Sequence, residues 1–135
     1  MRILVADKLA SFVPGRLQDN GAAVTVDPTA KDAALTARIQ ALDPEVLIVR
    51  STKVTGADIA AGKNLALVIR AGAGVNTIDL AAASAHGVYV ANCPGKNAVA
   101  VAELTIGHLV NLDRRLADNV IALREGRWDK KSFGV

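Results

Sequence analysis

The sequence predicts an α/β fold: an open parallel sheet of five strands in the order 2-1-3-4-5, with helices on both faces and a long helix added at the C-terminal end. Three observations predict it. Five short apolar runs recur between residues 2 and 90, each the length of a buried strand. The segments between them have helix-forming composition and cap signals, which calls for right-handed βαβ crossovers and parallel strands. The apolar fraction of 51% rests on Ala, Val, Leu and Ile, with only 3% aromatic residues, as suits helices packed on a buried sheet.

The first strand is read at residues 2–6, and Asp7-Lys8-Leu9-Ala10 is the loop leaving its end. A helix over about 12–19 is closed by Asn20-Gly21, a common C-terminal signal. Ala23-Val24-Thr25-Val26 is the second strand. Thr29, with Asp32 three residues on, reads as the N-cap of a helix over about 30–41, which Asp43-Pro44 stops. Val46-Leu47-Ile48-Val49 is apolar throughout and is predicted to be buried on both faces. Thr55 and Asp58 predict a capped helix ending near Gly62. The fourth strand is 66–69, a Gly72-Ala73-Gly74 turn follows, and a helix over about 78–85 is closed by Gly87. Val88-Tyr89-Val90 is the fifth strand. At this size the common arrangement of such units is the flavodoxin-like order. Asn97 can cap a single helix running to about Glu125, with Gly126 beyond its end. Leu109, Leu112, Leu116, Val120 and Leu123 recur on it at helical spacing. A helix of that length is roughly 40 Å long, more than a small α/β domain is wide, so part of its apolar face needs a second surface.

In a sheet of this order ligands bind beyond the carboxyl ends of the strands, which brings Asp7, Arg50-Ser51, Arg70 to Asn76 and Asn92 to Asn97 to one rim. Strand, glycine turn and helix, as at 67–83, aim free N–H groups at an anion. Arg70 stands where its guanidinium can meet a carboxylate or phosphate bidentately. Two structural readings stand beside this one: the glycines only permit positive φ, and each arginine pairs with a neighbouring acid such as Asp7.

Composition limits the other classes. No apolar run approaches the roughly 20 residues that span a bilayer. The net charge of +3 is modest, and no basic run carries interleaved aromatics, so neither a membrane nor nucleic acid is expected as partner. The N-terminus is charged too soon for a signal peptide. The single cysteine, Cys93, allows no internal disulfide and suits a reducing cytoplasm. His86 and His108 are read as structural or solvated, and no metal site is expected. An acidic pair after strand one, as in signalling receivers, and a Ser/Thr-rich phosphate loop there, as in flavin carriers, are both missing.

Four segments then carry a resemblance. Val49-Arg50-Ser51, Arg70-Ala71-Gly72-Ala73-Gly74-Val75, the helix start from Asn97 through Val101-Ala102-Glu103-Leu104-Thr105-Ile106-Gly107, and Gly126-Arg127-Trp128-Asp129-Lys130-Lys131-Ser132-Phe133 occur in this order and spacing in the NAD-dependent D-2-hydroxyacid dehydrogenases. The chain resembles that family along its whole length. The arginine before Gly-Ala-Gly and the Gly-x-Trp-x-x-x-x-Phe tail favour the branch that oxidises 3-phosphoglycerate to 3-phosphohydroxypyruvate for serine biosynthesis.

The resemblance implies that residues 1–95 are a substrate-binding domain and 96–135 the start of the cofactor domain and its dimerisation arm. Arg50, with Ser51 beside it, and Arg70 would hold the substrate phosphate or carboxylate. The N–H groups of Gly72, Ala73, Gly74 and Val75 would hold the carboxylate, and Asn97 would line the hinge side of the cleft. Leu109, Leu112, Leu116, Val120 and Trp128 would lie in a homodimer interface. NAD would serve the intact enzyme without binding this chain tightly. The family's dinucleotide fingerprint is missing, since Thr77 stands where a third glycine belongs and no ribose acid follows. The family's catalytic Arg, Glu and His lie further downstream, and Ala98 and Ala100 replace hydroxyl residues common in relatives. The expectation is therefore a substrate-binding part with no turnover by itself. The alternative is a non-catalytic dimeric interaction or regulatory module derived from the same family.

Overall fold

Strand β1 (Arg2–Val5) sends Leu4 to one side and Ile3 and Val5 to the other, and the whole first unit is built on that alternation. The computed structural model describes residues 1–133. The chain forms two units, Met1–Lys96 and Asn97–Val135. In the first, β1 is joined by β2 (Ala23–Val26), β3 (Val46–Val49), β4 (Leu67–Arg70) and β5 (Tyr89–Ala91) in one parallel sheet, ordered β2-β1-β3-β4-β5. This is the predicted fold class. Register follows the apolar pattern: Ile3 stands beside Val24 and Val46, and Leu47 beside Leu4 and Val68.

One face gathers Leu4, Leu47, Val49 and Val68 under α2 (Ala33–Leu42), α3 (Gly56–Ala61) and α4 (Leu80–Ala85), through Leu35, Ile39, Ile59 and Ala83. The other gathers Ile3, Val5, Val46 and Ile48 under α1 (Phe12–Asp19), with Leu9 and Leu17 packed against them. The β3 strand is buried along its full length, as its uninterrupted apolar run predicts. Apolar burial on both faces is the main stabilising term here, at about 25 cal/mol per Å² removed from water.

Helix starts show where local chemistry decides. The predicted box at Thr55 forms: its N–H donates to Asp58 Oδ2 at 2.8 Å, and the Asp58 N–H returns to the Thr55 hydroxyl at 3.4 Å. The Thr36 hydroxyl also donates to Asp58 Oδ1 at 2.5 Å, so this buried carboxylate ties α2 to α3. Thr29 does not cap α2. Its N–H and hydroxyl donate to Asp27 at 3.2 and 2.6 Å, because an aspartate two residues upstream captures the threonine in a local turn. The residue before α2 is Asp32, which caps without a side-chain hydrogen bond.

The second unit corrects the single long helix. α5 (Ala98–Arg114) ends at Arg115, whose φ of +48° is left-handed, and α6 (Leu116–Arg124) begins beyond it. No Gly or Pro marks the break. Arg115 is held instead by its own side chain: Nε pairs with Asp118 at 3.0 Å, Nη1 donates to the Ser132 carbonyl at 3.2 Å, and the guanidinium lies 4.8 Å from the Phe133 ring centre. Asn111 Oδ1 accepts the Ala117 N–H at 2.9 Å, satisfying a donor at the new helix start. Asn97 occupies the position before α5, but its side chain makes no capping bond. Ala122 is the one buried residue among those described in this unit. No helix among the described residues is long and apolar enough to cross a membrane.

Candidate functional site: an arginine over a glycine turn

The carboxyl ends of β1, β3 and β4 meet at one rim because the strands are parallel and in register. Asp7 follows β1 and is 6% exposed. Its Oδ2 accepts the N–H groups of Arg50, Ser51 and Thr52 at 2.7, 3.0 and 2.9 Å, and Oδ1 accepts the Ser51 hydroxyl at 3.2 Å. Burial raises the pKa of this carboxyl, but the backbone donors of Arg50, Thr52 and Ser51 outweigh it and hold it below its ordinary value. Asp7 therefore pairs with the peptide chain and not with either arginine. None of the ion pairs among the described residues includes Arg50 or Arg70.

Arg70 closes β4. Its Nε donates to the carbonyl of Arg50 at 3.1 Å, which joins the two predicted arginines through one main chain and one side chain. The turn after it is pinned on three sides. The Ala71 N–H donates to the Val49 carbonyl at 2.7 Å, the Cys93 N–H to the Gly72 carbonyl at 2.9 Å, and the Asn92 amide to the Ala73 carbonyl at 2.6 Å. Neither Gly72 nor Gly74 has a positive φ, so the turn does not need glycine for that reason. The approach at Gly74 is close: a Cβ there would stand 2.9 Å from Arg70 Nη1 and 3.1 Å from Asn76 Oδ1, so those side-chain ends would have to shift to admit one. The missing side chain lets the guanidinium lie against the turn.

Of the four N–H groups expected to face an anion, that of Gly72 is already donated to the Arg70 carbonyl at 2.8 Å. Those of Ala73, Gly74 and Val75 have no acceptor among the described residues. Arg50 and Ser51 are exposed on the neighbouring loop, and Arg70 is half-buried. Asn97 opens the second unit. His86 is exposed, with Nδ1 2.9 Å from the Ala82 carbonyl. The sequence reading offered Asp7 only as a counter-ion and missed its role as an acceptor for three successive N–H groups. An acid directly after an apolar first strand was the one available signal. Among the described residues no group of three His, Cys, Asp or Glu side chains is placed to hold a metal.

Residues 3–130 match the sequence family described as D-isomer specific 2-hydroxyacid dehydrogenase, catalytic domain. The chain belongs to that family. It is 41% identical over 133 residues to D-3-phosphoglycerate dehydrogenase of Rattus norvegicus, covering 98% of this chain and 25% of the relative. The enzyme of that name from Archaeoglobus fulgidus is 34% identical over 134 residues, with the same coverage. Among solved structures, the NAD-bound 3-phosphoglycerate dehydrogenase of Entamoeba histolytica superposes with a TM-score of 0.74 at 32% identity, over 84% of this chain and 39% of that one. The NAD-dependent formate dehydrogenase of Staphylococcus aureus, in complex with NAD, gives 0.83 at 26% identity, over 99% and 45%. The chain thus spans about a quarter of the length of the curated relatives it matches.

Relatives of this family bind NAD, as those structures state. The glycine turn of this chain does not fit a dinucleotide. Its helix begins only at Leu80, and the Asp79 carboxylate already accepts the Ala82 N–H at 2.9 Å there, so a pyrophosphate would meet a negative charge where the fingerprint offers free donors.

Proposed function

We propose that the unit Met1–Lys96 is the substrate-binding part of an NAD-dependent dehydrogenase acting on 3-phosphoglycerate or a similar anionic 2-hydroxy acid. The observation that carries this is the guanidinium of Arg70, free of any carboxylate among the described residues and lying against Gly74, in a turn where the N–H groups of Ala73, Gly74 and Val75 have no acceptor among those residues. A cation and free N–H groups on one turn suit a carboxylate or phosphate. Arg70 and Arg50 take the two anionic ends of the substrate and the turn takes a carboxylate; Ser51, on the same loop, joins them only by turning its hydroxyl away from Asp7. Asn97 is assigned to the cleft by family resemblance.

The work done is orientation and electrostatics: a bound acid is fixed by its charged ends so that its C2 carbon is presented in one direction. We assign this chain no proton or hydride step, and no turnover by itself. NAD serves the intact enzyme through residues other than this turn. A reducing cytoplasm is the compartment we assign, in keeping with the lone thiol. For the second unit we propose that a further copy of the chain covers Leu109, Leu112, Leu116, Val120 and Trp128, all of which are exposed. Those exposed residues also favour the second reading, a dimeric interaction module that retains the site as a relic. Titration of the chain with 3-phosphoglycerate, followed by heteronuclear NMR with glycerate and inorganic phosphate as controls, separates the two. Selective shifts at Ala73, Gly74, Val75 and the Arg70 side chain are expected. Their absence at millimolar ligand, with dimerisation intact, favours the relic.

A further inference from the structure

The substrate reading gives Asp7 no part, yet its carboxylate is buried within the rim that the two arginines share. A carboxylate near two guanidiniums ordinarily pairs with one. This one spends Oδ2 on three successive N–H groups and Oδ1 on the Ser51 hydroxyl. The consequence lies in the peptide between Arg50 and Ser51. That peptide is planar and trans, so its N–H and its C=O point in opposite directions. With the Ser51 N–H aimed at Asp7 at 3.0 Å, the Arg50 carbonyl is turned away from β1, and there it accepts Arg70 Nε at 3.1 Å. A guanidinium is planar, so holding it by Nε fixes the direction in which both Nη groups face an incoming anion, and one of them lies against the turn at Gly74.

We infer that Asp7 is a positioning residue of the anion site: it sets the Arg50–Ser51 peptide, whose carbonyl orients the guanidinium of Arg70. The inference rests on the reading that Arg70 receives the substrate anion, and its own test does not need the ligand. In the full chain, the solvent-exchange rate of the Arg70 Nε–H is measured by 15N NMR at mildly acidic pH. Asp7→Ala is expected to speed that exchange at least about tenfold, because the orphaned peptide no longer holds its carbonyl in place. Asp7→Asn is expected to return it to within about threefold of the original, since the amide oxygen can accept the N–H groups while its NH2 donates to the Ser51 hydroxyl. A purely structural role would lower stability in the Ala variant without singling out this one proton. Should Asp7→Ala not fold, Asp7→Ser, whose hydroxyl is too short to serve all three donors, replaces it.

An unchanged Arg70 Nε–H in a folded Ala or Ser variant overturns the inference, as does an Asn variant no slower than Ala. Titrating the same samples with 3-phosphoglycerate tests the substrate reading separately. The unsubstituted chain is expected to bind about tenfold more tightly than the Ala variant. If no sample binds while the exchange rates move as expected, the positioning stands and the substrate assignment fails.

Discussion

The two units of this chain spend their apolar residues in opposite ways. In the first, Leu4, Leu35, Ile39 and Leu47 are wholly removed from water, and both faces of the sheet are packed. In the second, Leu109 is 62% and Leu112 is 74% exposed, although the unit is nearly as rich in Leu, Val and Ala. The difference lies in geometry and not in composition. A sheet with crossover helices returns its own chain to both faces, whereas a helix followed by a short second helix has only a narrow mutual contact to offer. Helicity is local, but burial needs a partner surface.

Cutting the chain between Lys96 and Asn97 should break this contrast most severely. Residues 1–96 are expected to keep a dispersed NMR spectrum and a cooperative unfolding transition. Residues 97–135, followed by circular dichroism over a dilution series, are expected to lose most of their helix as any self-association is diluted away. A dilute peptide that stays helical would show that the second unit is sufficient by itself.

Next in size are two equal deletions, one per unit. Leu47→Ala, at a site 0% exposed, should cost about 3 kcal/mol in denaturant unfolding, while Leu109→Ala should change monomer stability by under about 0.5 kcal/mol. If a second copy covers Leu109, the same substitution should instead show in the concentration dependence of the oligomer. Arg70→Ala sharpens the contrast in function: stability is expected to hold within about 0.5 kcal/mol while affinity for 3-phosphoglycerate falls at least about tenfold, as read by NMR or calorimetry.

The smallest effect expected is one of pH. The Asp7 carboxyl titrates below its ordinary value of 3.8, so its ionised form is favoured by the fold. Its contribution to stability is present above the unfolded-chain value and is lost as pH falls through the lower folded one. Acid unfolding of residues 1–96 should therefore flatten in Asp7→Ala, while the second unit is unaffected.

Much of this architecture was legible from the sequence because parallel βαβ units write themselves in short apolar runs and cap residues. The capping box of Thr55 and Asp58 is decided by residues three apart, and the burial of β3 is written in its uninterrupted apolar run. What was not legible depends on distant partners. The break at Arg115 carries no glycine or proline; the contacts found there come from Asn111 and Asp118 and, further off, from Ser132 and Phe133. The positive φ that one structural reading gave the glycines of this turn is absent, and it is at Gly74 that Arg70 lies close. The arginines at the rim were visible, but the direction of Asp7 toward backbone donors was not, because a sequence gives residue types and not the orientation of peptides.

That carboxylate has a further consequence, for the order of events during folding. Its three backbone donors lie 43, 44 and 45 positions further along the chain, so the rim loop cannot settle until β1 and β3 have paired across that separation. Closing such a loop carries an entropic cost that only long-range pairing offsets. A chain in which β1 and β3 are still unpaired would have both arginines and no common geometry for them. The common geometry of the rim would thus arrive late and nearly all at once.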